Sequence, residues 1–417
     1  MMTSKQNNKE AYVWIWLPGE TEPVVAGKLE ADNGIVQFNY GKSYLDRPNA
    51  IPIYEPELPL KPGILPLLGD LEIPNCIRDA APDAWGRRVI INRQLGKKGR
   101  DTDTAELDEL TYLLESGSDR IGALDFQRYP SEYVPRAGNN ASLEELLESA
   151  DRVERGVPLI PELDQALFHG SSIGGARPKA LIEDHGTKYI AKFSSSSDTY
   201  SVVKAEYIAM RLADMMGLNV APVKMVKASG KDVLLIQRFD RIHGASGWQR
   251  KSMVSALTLF GLSDMTARYA SYEELAQIIR ERFISPKQAL HELYGRLVFN
   301  VLCGNTDDHA RNHAAFWDGR ELTLTPAYDI CPQSRSGNEA TQAMLIVGNN
   351  RYSQLKTCLA AAHHYLLSND EAVVIVDKVE TAIRENWDRV CEEAELSPVD
   401  KELMWQRQFL NPFSIER

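Results

Sequence analysis

Phosphoryl transfer is the chemistry that residue types and spacing favour in the segment DDHARN at 307–312. Asp307 and Asn312 stand in the D-x-x-x-x-N spacing of a kinase catalytic loop, where the aspartate accepts the proton of the substrate hydroxyl and the asparagine binds metal. Asp329 follows a predicted hairpin, at the place where a second metal-binding aspartate belongs. Each element alone is equally well explained by a polar loop that caps a helix. Their order and separation together favour phosphoryl transfer.

Two upstream segments could hold the phosphates of a nucleotide. In the glycine-rich segment 170–175, backbone N–H groups could approach an anion closely, because glycine has no side chain in the way. The segment lacks the G-K-[ST] ending of a Walker A loop and the G-x-G-x-x-G pattern, so a plain turn stays open. Lys192, in the strand-like YIAKF, follows where a kinase keeps its phosphate-binding lysine. Glu206 on the next predicted helix could orient Lys192, although helix glutamates usually face solvent.

A metal hydrolase is a second interpretation of the same residues. His309 and His313 are four residues apart and could form one face of a zinc site flanked by Asp307 and Asp308. A zincin of the H-E-x-x-H type needs its glutamate as general base, and the intervening residues here are A-R-N. The H-D order of metal phosphohydrolases is also reversed. The hydrolase is therefore the less favoured hypothesis, and a small-molecule kinase remains a further alternative.

Hydrophobic patterning predicts the elements that position these groups. Short alternating stretches between Ala11 and about Pro59 predict a β-rich opening domain. The segments PKALIE, KYIAKF, APVKMVKA and DVLLIQRF predict four strands, and the apolar residues of 203–210 predict one helix between the two pairs. Ser142 and Glu145 have capping-box spacing for a helix start, and from about Ser252 onward capped helix starts dominate, such as Ser285 followed by Pro286 and Ser368 with Glu371. We therefore expect three parts, 1–135, 136–247 and 248–417, the last being a large all-helical lobe that carries the catalytic residues.

Composition limits the classes of function. The 417 residues carry a net charge of −11, which opposes direct binding of a nucleic-acid backbone without a basic partner. The five cysteines lie far apart without a C-x-x-C pair, as expected of a reduced cytosolic protein. No apolar signal sequence and no apolar run of about 18 residues is present, so a cytoplasmic protein without membrane contact is predicted.

Several motifs, taken in order, resemble the HipA family of toxin–antitoxin serine/threonine kinases. They are SSIGGARPKA, YIAKF, AEYIAMRLADMMGLNVAP, QRFDR, GNTDDHARNHA and LTPAYDI, with PDAWGRR and SDRIGALDF resembling the family's N-terminal region. These motifs cover roughly residues 80 to 330. The resemblance implies an α+β, two-lobed protein-kinase-like (HipA-like) fold with a β-rich N-terminal subdomain, and it implies ATP and Mg²⁺ as cofactors.

The resemblance also assigns roles. It makes Asp307 the catalytic aspartate, and Asn312 and Asp329 the Mg²⁺ ligands. The implied ATP site is Ser171, Ser172, Ile173, Gly174, Gly175, Lys192, Gln237, Phe239, His309 and Asn312, with Gln237 and Phe239 in the adenine hinge. Ser172 matches a serine that some members phosphorylate on their own loop to turn themselves off, and Ser171 is the alternative. Two positions depart from the best-known members: Gln237 stands where a glutamate can stand, and Asp308 replaces a glycine.

Partners follow from the same resemblance. Members pair with a helix-turn-helix antitoxin, HipB, which binds operator DNA and supplies the basic surface that this acidic chain lacks. The implied target is a protein, such as an aminoacyl-tRNA synthetase or another translation factor, whose phosphorylation halts growth. The main alternative is a catalytically weak HipA-like binding module that acts as a corepressor on the antitoxin and DNA.

Overall fold

A computed structural model describes residues 8–95, 103, 107–136, 141–159, 163, 172, 175, 177–195, 198, 200–335 and 337–417. The first part of the chain forms a five-stranded antiparallel sheet with the strand order β4-β3-β2-β1-β5. Its elements are β1 (Glu10–Ile15), β2 (Val24–Asp32), β3 (Ile35–Tyr40), α1 (Lys42–Leu45), β4 (Ile64–Leu65), α2 (Asn75–Arg78), α3 (Ala84–Leu95), α4 (Glu109–Glu115) and β5 (Leu124–Gln127). This sheet confirms the β-rich start predicted from alternation.

A second, four-stranded sheet forms the small lobe, in the order β6-β7-β9-β8. Its elements, after α5 (Leu143–Glu154), are β6 (Lys179–Asp184), β7 (Thr187–Phe193), α6 (Val202–Met215), β8 (Val223–Ala228) and β9 (Lys231–Gln237). The turn between β6 and β7 has positive φ at both central residues, His185 (47°) and Gly186 (72°), which suits the twist of a tight hairpin. The four predicted strands and the helix between them are confirmed.

The third part is mainly helical. The elements that follow the small-lobe sheet are β10 (Arg241–Gly244), β11 (Gly247–Arg250), β12 (Met253–Ser255), α7 (Ala256–Phe260), α8 (Tyr272–Arg282), α9 (Pro286–Cys303), β13 (Ala314–Trp317), β14 (Leu322–Leu324), α10 (Leu355–Ala361), α11 (Asn369–Glu393) and α12 (Pro398–Met404). The expectation of an all-helical lobe is wrong in one respect, because β12, β13 and β14 form a three-stranded sheet. β13 and β14 form the hairpin that the sequence predicts before Asp329, whereas β12, with three residues, is too short for alternation to be visible in sequence. The division at 135 and 247 stays a prediction.

Buried apolar side chains hold the helical lobe together and join the N-terminal region to the small lobe. The central helix α9 is buried along Leu290, Leu293, Leu297 and Val301, which are fully shielded from solvent. A separate apolar cluster joins Trp85 of α3 to the small-lobe sheet and α5. The N-terminal region therefore packs directly against the lobe that carries the glycine-rich segment. Among the described residues, the structure contains no helix with the length and apolar character needed to cross a membrane.

A buried carboxyl in the N-terminal region predicts a pH-dependent stability. Glu57 is 4% exposed, its Oε2 accepts a hydrogen bond from Cys76 N–H (2.8 Å), and its Oε1 has no partner among the described residues. Burial raises the pKa of Glu57 from 4.5 to about 7. A raised carboxyl pKa contributes stability below pH 4.5 that is lost as the pH rises through 7.

We expect Glu57→Gln to raise the free energy of unfolding at pH 8, because the amide removes the buried charge. The gain should reach about 3 kcal/mol at pH 8 and be much smaller at pH 5. Urea unfolding at the two pH values measures it. The exposed neighbour Glu55 provides the control, Glu55→Gln, which should change neither value. An equal gain at both pH values would contradict this explanation.

Candidate active site

Three charged side chains from distant parts of the chain meet at the base of the small lobe. Lys192, on β7, donates through Nζ to Glu206 Oε1 of α6 over 2.6 Å. The same Nζ forms an ion pair with Asp329, which follows β14. Lys192 thus contacts a small-lobe helix through Glu206 and the helical lobe through Asp329, so it connects the two lobes. An ion pair between a strand lysine and a helix glutamate, as in Lys192 with Glu206, is the pair that protein kinases need at their phosphate-binding lysine.

Asn312 completes this group. Its Nδ2 donates to Asp329 Oδ2 over 3.0 Å, while its Oδ1 accepts from the backbone N–H of His309 (3.2 Å). Asp329 has φ 58°, a left-handed conformation that aspartate and asparagine adopt more readily than most residues. The structure thus brings together Lys192, Glu206, Asn312 and Asp329.

The charges in this cluster support one another. Burial acts to raise the pKa of Asp329, but the Lys192 ammonium, with that of Lys179, outweighs burial and holds this pKa well below its usual range. Burial acts to lower the pKa of Lys192, and the carboxylates of Asp329 and Glu206 reverse this and raise it. Burial raises the pKa of Glu206, with Lys192 opposing the shift. Asp329 therefore stays a carboxylate throughout the neutral range.

Asp307 lies in the loop that follows α9, and its side chain is exposed. Its neighbour Asp308 is buried and accepts hydrogen bonds from Tyr272 Oη and, at 2.9 Å, from His313 Nε2 when that nitrogen carries the proton. Gly304 ends α9 with φ 75°. A side chain there would clash with the backbone of Gln408. Asp308 thus holds the loop from its buried side, while Asp307 is exposed to solvent.

The two predicted hinge residues lie at the end of β9. Gln237 N–H donates to Pro222 O (2.9 Å). Phe239 is half-buried and packs against Phe316 of β13 and Tyr328, with ring centroids 5.9 Å and 5.7 Å away. Because Tyr328 precedes Asp329, the aromatic group adjoins the charged cluster. The exposed His309 lies in the same loop as Asn312.

The oxygen donors of Asp329 and Asn312 suit magnesium. Mg²⁺ prefers one or two protein oxygens together with substrate phosphates and water, rather than a cage of protein ligands. Within the described ranges, no group of three or more His, Cys, Asp and Glu side chains could hold a metal ion. The zinc hypothesis places His309 and His313 on one face of a metal site. His313 is buried and its Nε2 contacts Asp308, whereas His309 is exposed, so the two imidazoles lie in different surroundings.

Comparison with known protein families identifies both halves of the chain. Residues 171–387 match the HipA-like C-terminal domain, and residues 15–127 match the HipA N-terminal domain. The chain belongs to the HipA family. Its fold is the α+β, two-lobed fold of this family, as expected from the sequence motifs.

Relatives of this HipA-family chain are named kinases. A putative kinase of Sinorhizobium fredii, Y4mE, is 25% identical over 343 residues, which is 76% of each chain. The serine/threonine-protein kinase toxin HipA of Shewanella oneidensis is 27% identical over 185 residues, covering 38% of this chain and 42% of that protein. A chain in the solved complex of Shewanella oneidensis HipA, HipB and operator DNA superposes with a TM-score of 0.63 at 20% identity, over 94% and 93% of the two chains.

The glycine-rich segment of this HipA-family protein is only partly described. Ser171, Ile173 and Gly174 lie outside the described residues. Ser172 is buried, and its Oγ donates to the backbone oxygen of Asp119 (3.3 Å). A Ser172 hydroxyl in this position must leave Asp119 before it can accept a phosphate.

Sequence reasoning missed two charged residues beside the HipA-family site. Lys179 of β6 is buried and lies opposite Lys192 in strand register, and burial together with Lys192 lowers the pKa of Lys179. Asp83, at the start of α3, accepts a hydrogen bond from Gly175 N–H. Lys179 stands in the PKALIE strand, and only the pairing with β7 reveals its position. Asp83 stands in the family-like motif PDAWGRR, but nothing in that motif relates it to the glycine-rich segment.

Two of the family-like motifs, SDRIGALDF and QRFDR, also build a structural network. Arg238 donates through Nη1 to Asp119 Oδ1 (3.0 Å) and through Nη2 to Asp240 Oδ2 (2.8 Å). Arg238, Asp240 and Arg241 are all buried. Burial acts to raise the pKa of Asp119, and Arg238 with Arg241 outweighs it, so that this pKa is lowered. These residues join the N-terminal region to the small lobe.

Proposed function

We propose that this HipA-family protein is an ATP- and Mg²⁺-dependent kinase that phosphorylates serine or threonine of a protein. The contact that supports this most strongly is Lys192 between Glu206 and Asp329, with Asn312 on the same Asp329. Phosphoryl transfer depends on positioning and on charge stabilisation, which this cluster supplies. A scaffold would have no use for a buried Glu206 and a half-buried Lys192 held together in this way, because the desolvation of charged groups is costly.

Each residue has a proposed role. Lys192 binds the phosphates of ATP, with Glu206 holding its ammonium in place. Asp329 and Asn312 hold Mg²⁺, which when bound neutralises the charge that develops on the phosphates. Asp307 accepts the proton of the attacking hydroxyl, and its exposure leaves it accessible to a protein substrate.

The remaining ATP contacts are proposed for the two ends of the site. The glycine-rich residues Ser171 to Gly175 and His309 would surround the phosphates. Gln237 and Phe239 would receive adenine, where Phe239 already has aromatic neighbours on the opposite lobe. Phosphorylation of Ser172 or Ser171 would add about −1.5 to −2 charge to the loop and displace the phosphates of ATP.

The protein target is proposed to be a translation component such as an aminoacyl-tRNA synthetase, as in the family this chain belongs to. A HipB-like helix-turn-helix antitoxin would restrain the kinase and carry it to operator DNA. The solved Shewanella oneidensis complex contains HipA, HipB and operator DNA of that organism, which supports such partners for this chain. The net charge of −11 supports a DNA contact through a basic partner.

A cell-free translation reaction tests this function. Wild-type protein with ATP and Mg²⁺ should stop translation, and mass spectrometry should find phosphoserine or phosphothreonine on a translation component. Asp307→Asn should do neither, whereas Asp370→Asn, an exposed aspartate of α11, should behave as wild type. Addition of the helix-turn-helix partner should restore translation. Unchanged translation with no newly phosphorylated protein would contradict the proposal.

A further inference from the structure

The Asp83 carboxylate accepts a hydrogen bond from Gly175 and not from its own helix. It stands immediately before α3, and its backbone oxygen accepts from Arg87 N–H (2.8 Å) as the first turn begins. An aspartate at a helix N-cap usually accepts a hydrogen bond from the backbone of its own helix. Here Oδ2 accepts from Gly175 N–H instead, and Oδ1, shielded from solvent, has no donor among the described residues. The carboxylate is therefore directed at the glycine-rich segment and not at its own helix.

The residues around Asp83 hold Gly175 from both sides. Trp85 N–H donates to Gly175 O (3.1 Å), so both backbone polar groups of Gly175 bind the N-terminal region. Trp85 Nε1 also donates to Lys179 O (2.9 Å). The indole is buried against Phe193 and α5. This segment, 83–85, is thus a fixed attachment between the N-terminal region and the glycine-rich segment.

The Asp83 carboxylate faces the charges that nucleotide phosphates would face. Burial raises the pKa of Asp83; the Lys179 ammonium and Gly175 N–H oppose this shift, and the Asp329 carboxylate adds to it. Lys179 lies against Gly175 and beside Lys192. Backbone N–H groups of a glycine-rich turn and adjacent lysines are the groups that bind phosphate in such loops. A carboxylate on Gly175 N–H competes with a phosphate for the same donor and the same cation.

We propose that Asp83 occupies a phosphate-binding position of the glycine-rich segment and thereby lowers the affinity of the site for nucleotide phosphates. The N-terminal region, which carries Asp83, would then influence how tightly Gly175 N–H binds a phosphate. The inference rests on the proposed function, since it takes this segment as the ATP-binding loop. Asp83 is a specificity-determining residue: it acts against di- and triphosphates and leaves the nucleoside part of the site untouched.

Calorimetric titration with ATP, ADP and adenosine tests this inference. Asp83→Asn keeps the size and an acceptor oxygen but removes the charge, and ATP should bind about tenfold more tightly, the size expected when one like charge leaves a partly buried site. Asp83→Ala also frees Gly175 N–H and should increase ATP affinity further. ADP should follow ATP, and adenosine affinity should stay unchanged. The matched control is Asp108→Asn, at the N-cap of α4, where the carboxylate accepts from Thr111 N–H (2.7 Å).

The outcomes separate this inference from the proposed function. If the wild type binds ATP and Lys192→Met does not, the proposed nucleotide site is supported. If that holds and Asp83→Asn leaves the ratio of ATP to adenosine affinity unchanged, or lowers it, Asp83 only fixes the loop and the inference is overturned. Thermal melting of each variant shows that it is folded, and Asp83→Asn alone decides the question if Asp83→Ala does not fold.

Discussion

Asp307→Asn is expected to lower the rate of phosphoryl transfer by about 10³-fold while leaving ATP affinity unchanged. The amide has the size of the carboxylate but cannot accept the proton of the attacking hydroxyl. Asp307 is exposed, whereas Lys192 and Asp329 lie in the neighbouring charged cluster, where their side chains are 12% and 42% exposed. Its loss should therefore affect the chemical step and not nucleotide binding. Single-turnover transfer from γ-labelled ATP measures the rate, and calorimetry measures the affinity.

The control for this substitution is Asp370→Asn, the same change at an exposed position of α11. It should retain the wild-type rate. A rate for Asp307→Asn within tenfold of wild type would show that another group accepts the proton, and would contradict the role of Asp307. A parallel loss of ATP affinity would place Asp307 in the binding of nucleotide instead.

Asp329→Asn is expected to abolish the Mg²⁺ dependence of ATP binding and to lower transfer by about 10³-fold or more. Removal of a metal ligand costs several kcal/mol of charge stabilisation in the transition state. Asparagine tolerates the left-handed backbone of Asp329 (φ 58°), and Lys192 keeps Glu206 as a partner, so the variant should fold. ATP affinity with and without Mg²⁺, together with the transfer rate, measures the effect.

A pH profile adds to the test of Asp329. Lys192 holds the pKa of this carboxyl well below its usual range, although burial acts to raise it. A lowered carboxyl pKa means that the ionised form, and the stability it contributes, is present above the usual pKa and is lost only as the pH falls through the folded value. The ATP affinity of the wild type should therefore show no change between pH 5 and 8 that comes from protonation of Asp329.

For the substitution itself, ATP binding by Asp329→Asn that still depends on Mg²⁺ would contradict the assignment of Asp329 as a metal ligand.

Local patterns predicted much of the fold. Alternation located β6 to β9, and the spacing of Ser142 with Glu145 and of Ser368 with Glu371 predicted capping boxes that the structure confirms at α5 and α11. Ser285 is followed by Pro286 at the start of α9 as predicted, but its side chain makes no capping hydrogen bond. These signals work because they depend on residues a few positions apart.

The site was harder to predict, because its contacts join distant residues. Lys192 and Asp329 are 137 residues apart, and only the order of several motifs suggested that they meet. Asp83 reaches Gly175 across 92 residues, and neither position carries a periodic pattern that would relate them. The short strand β12 was missed for a related reason, since its pairing with β13 and not its local sequence defines it, whereas β13 and β14 form the hairpin predicted before Asp329.

Transfer of a labelled γ-phosphate is the most direct test of the proposed kinase. Purified wild-type protein and Asp307→Asn would each be incubated with γ-labelled ATP and Mg²⁺, alone and with a cell extract, and mass spectrometry would locate the label. We expect label on serine or threonine, in Ser171 or Ser172 of the chain itself or in a translation component, with wild type only. Absence of label from every protein, together with no rise in melting temperature on addition of ATP, would show that this HipA-family chain is not a kinase.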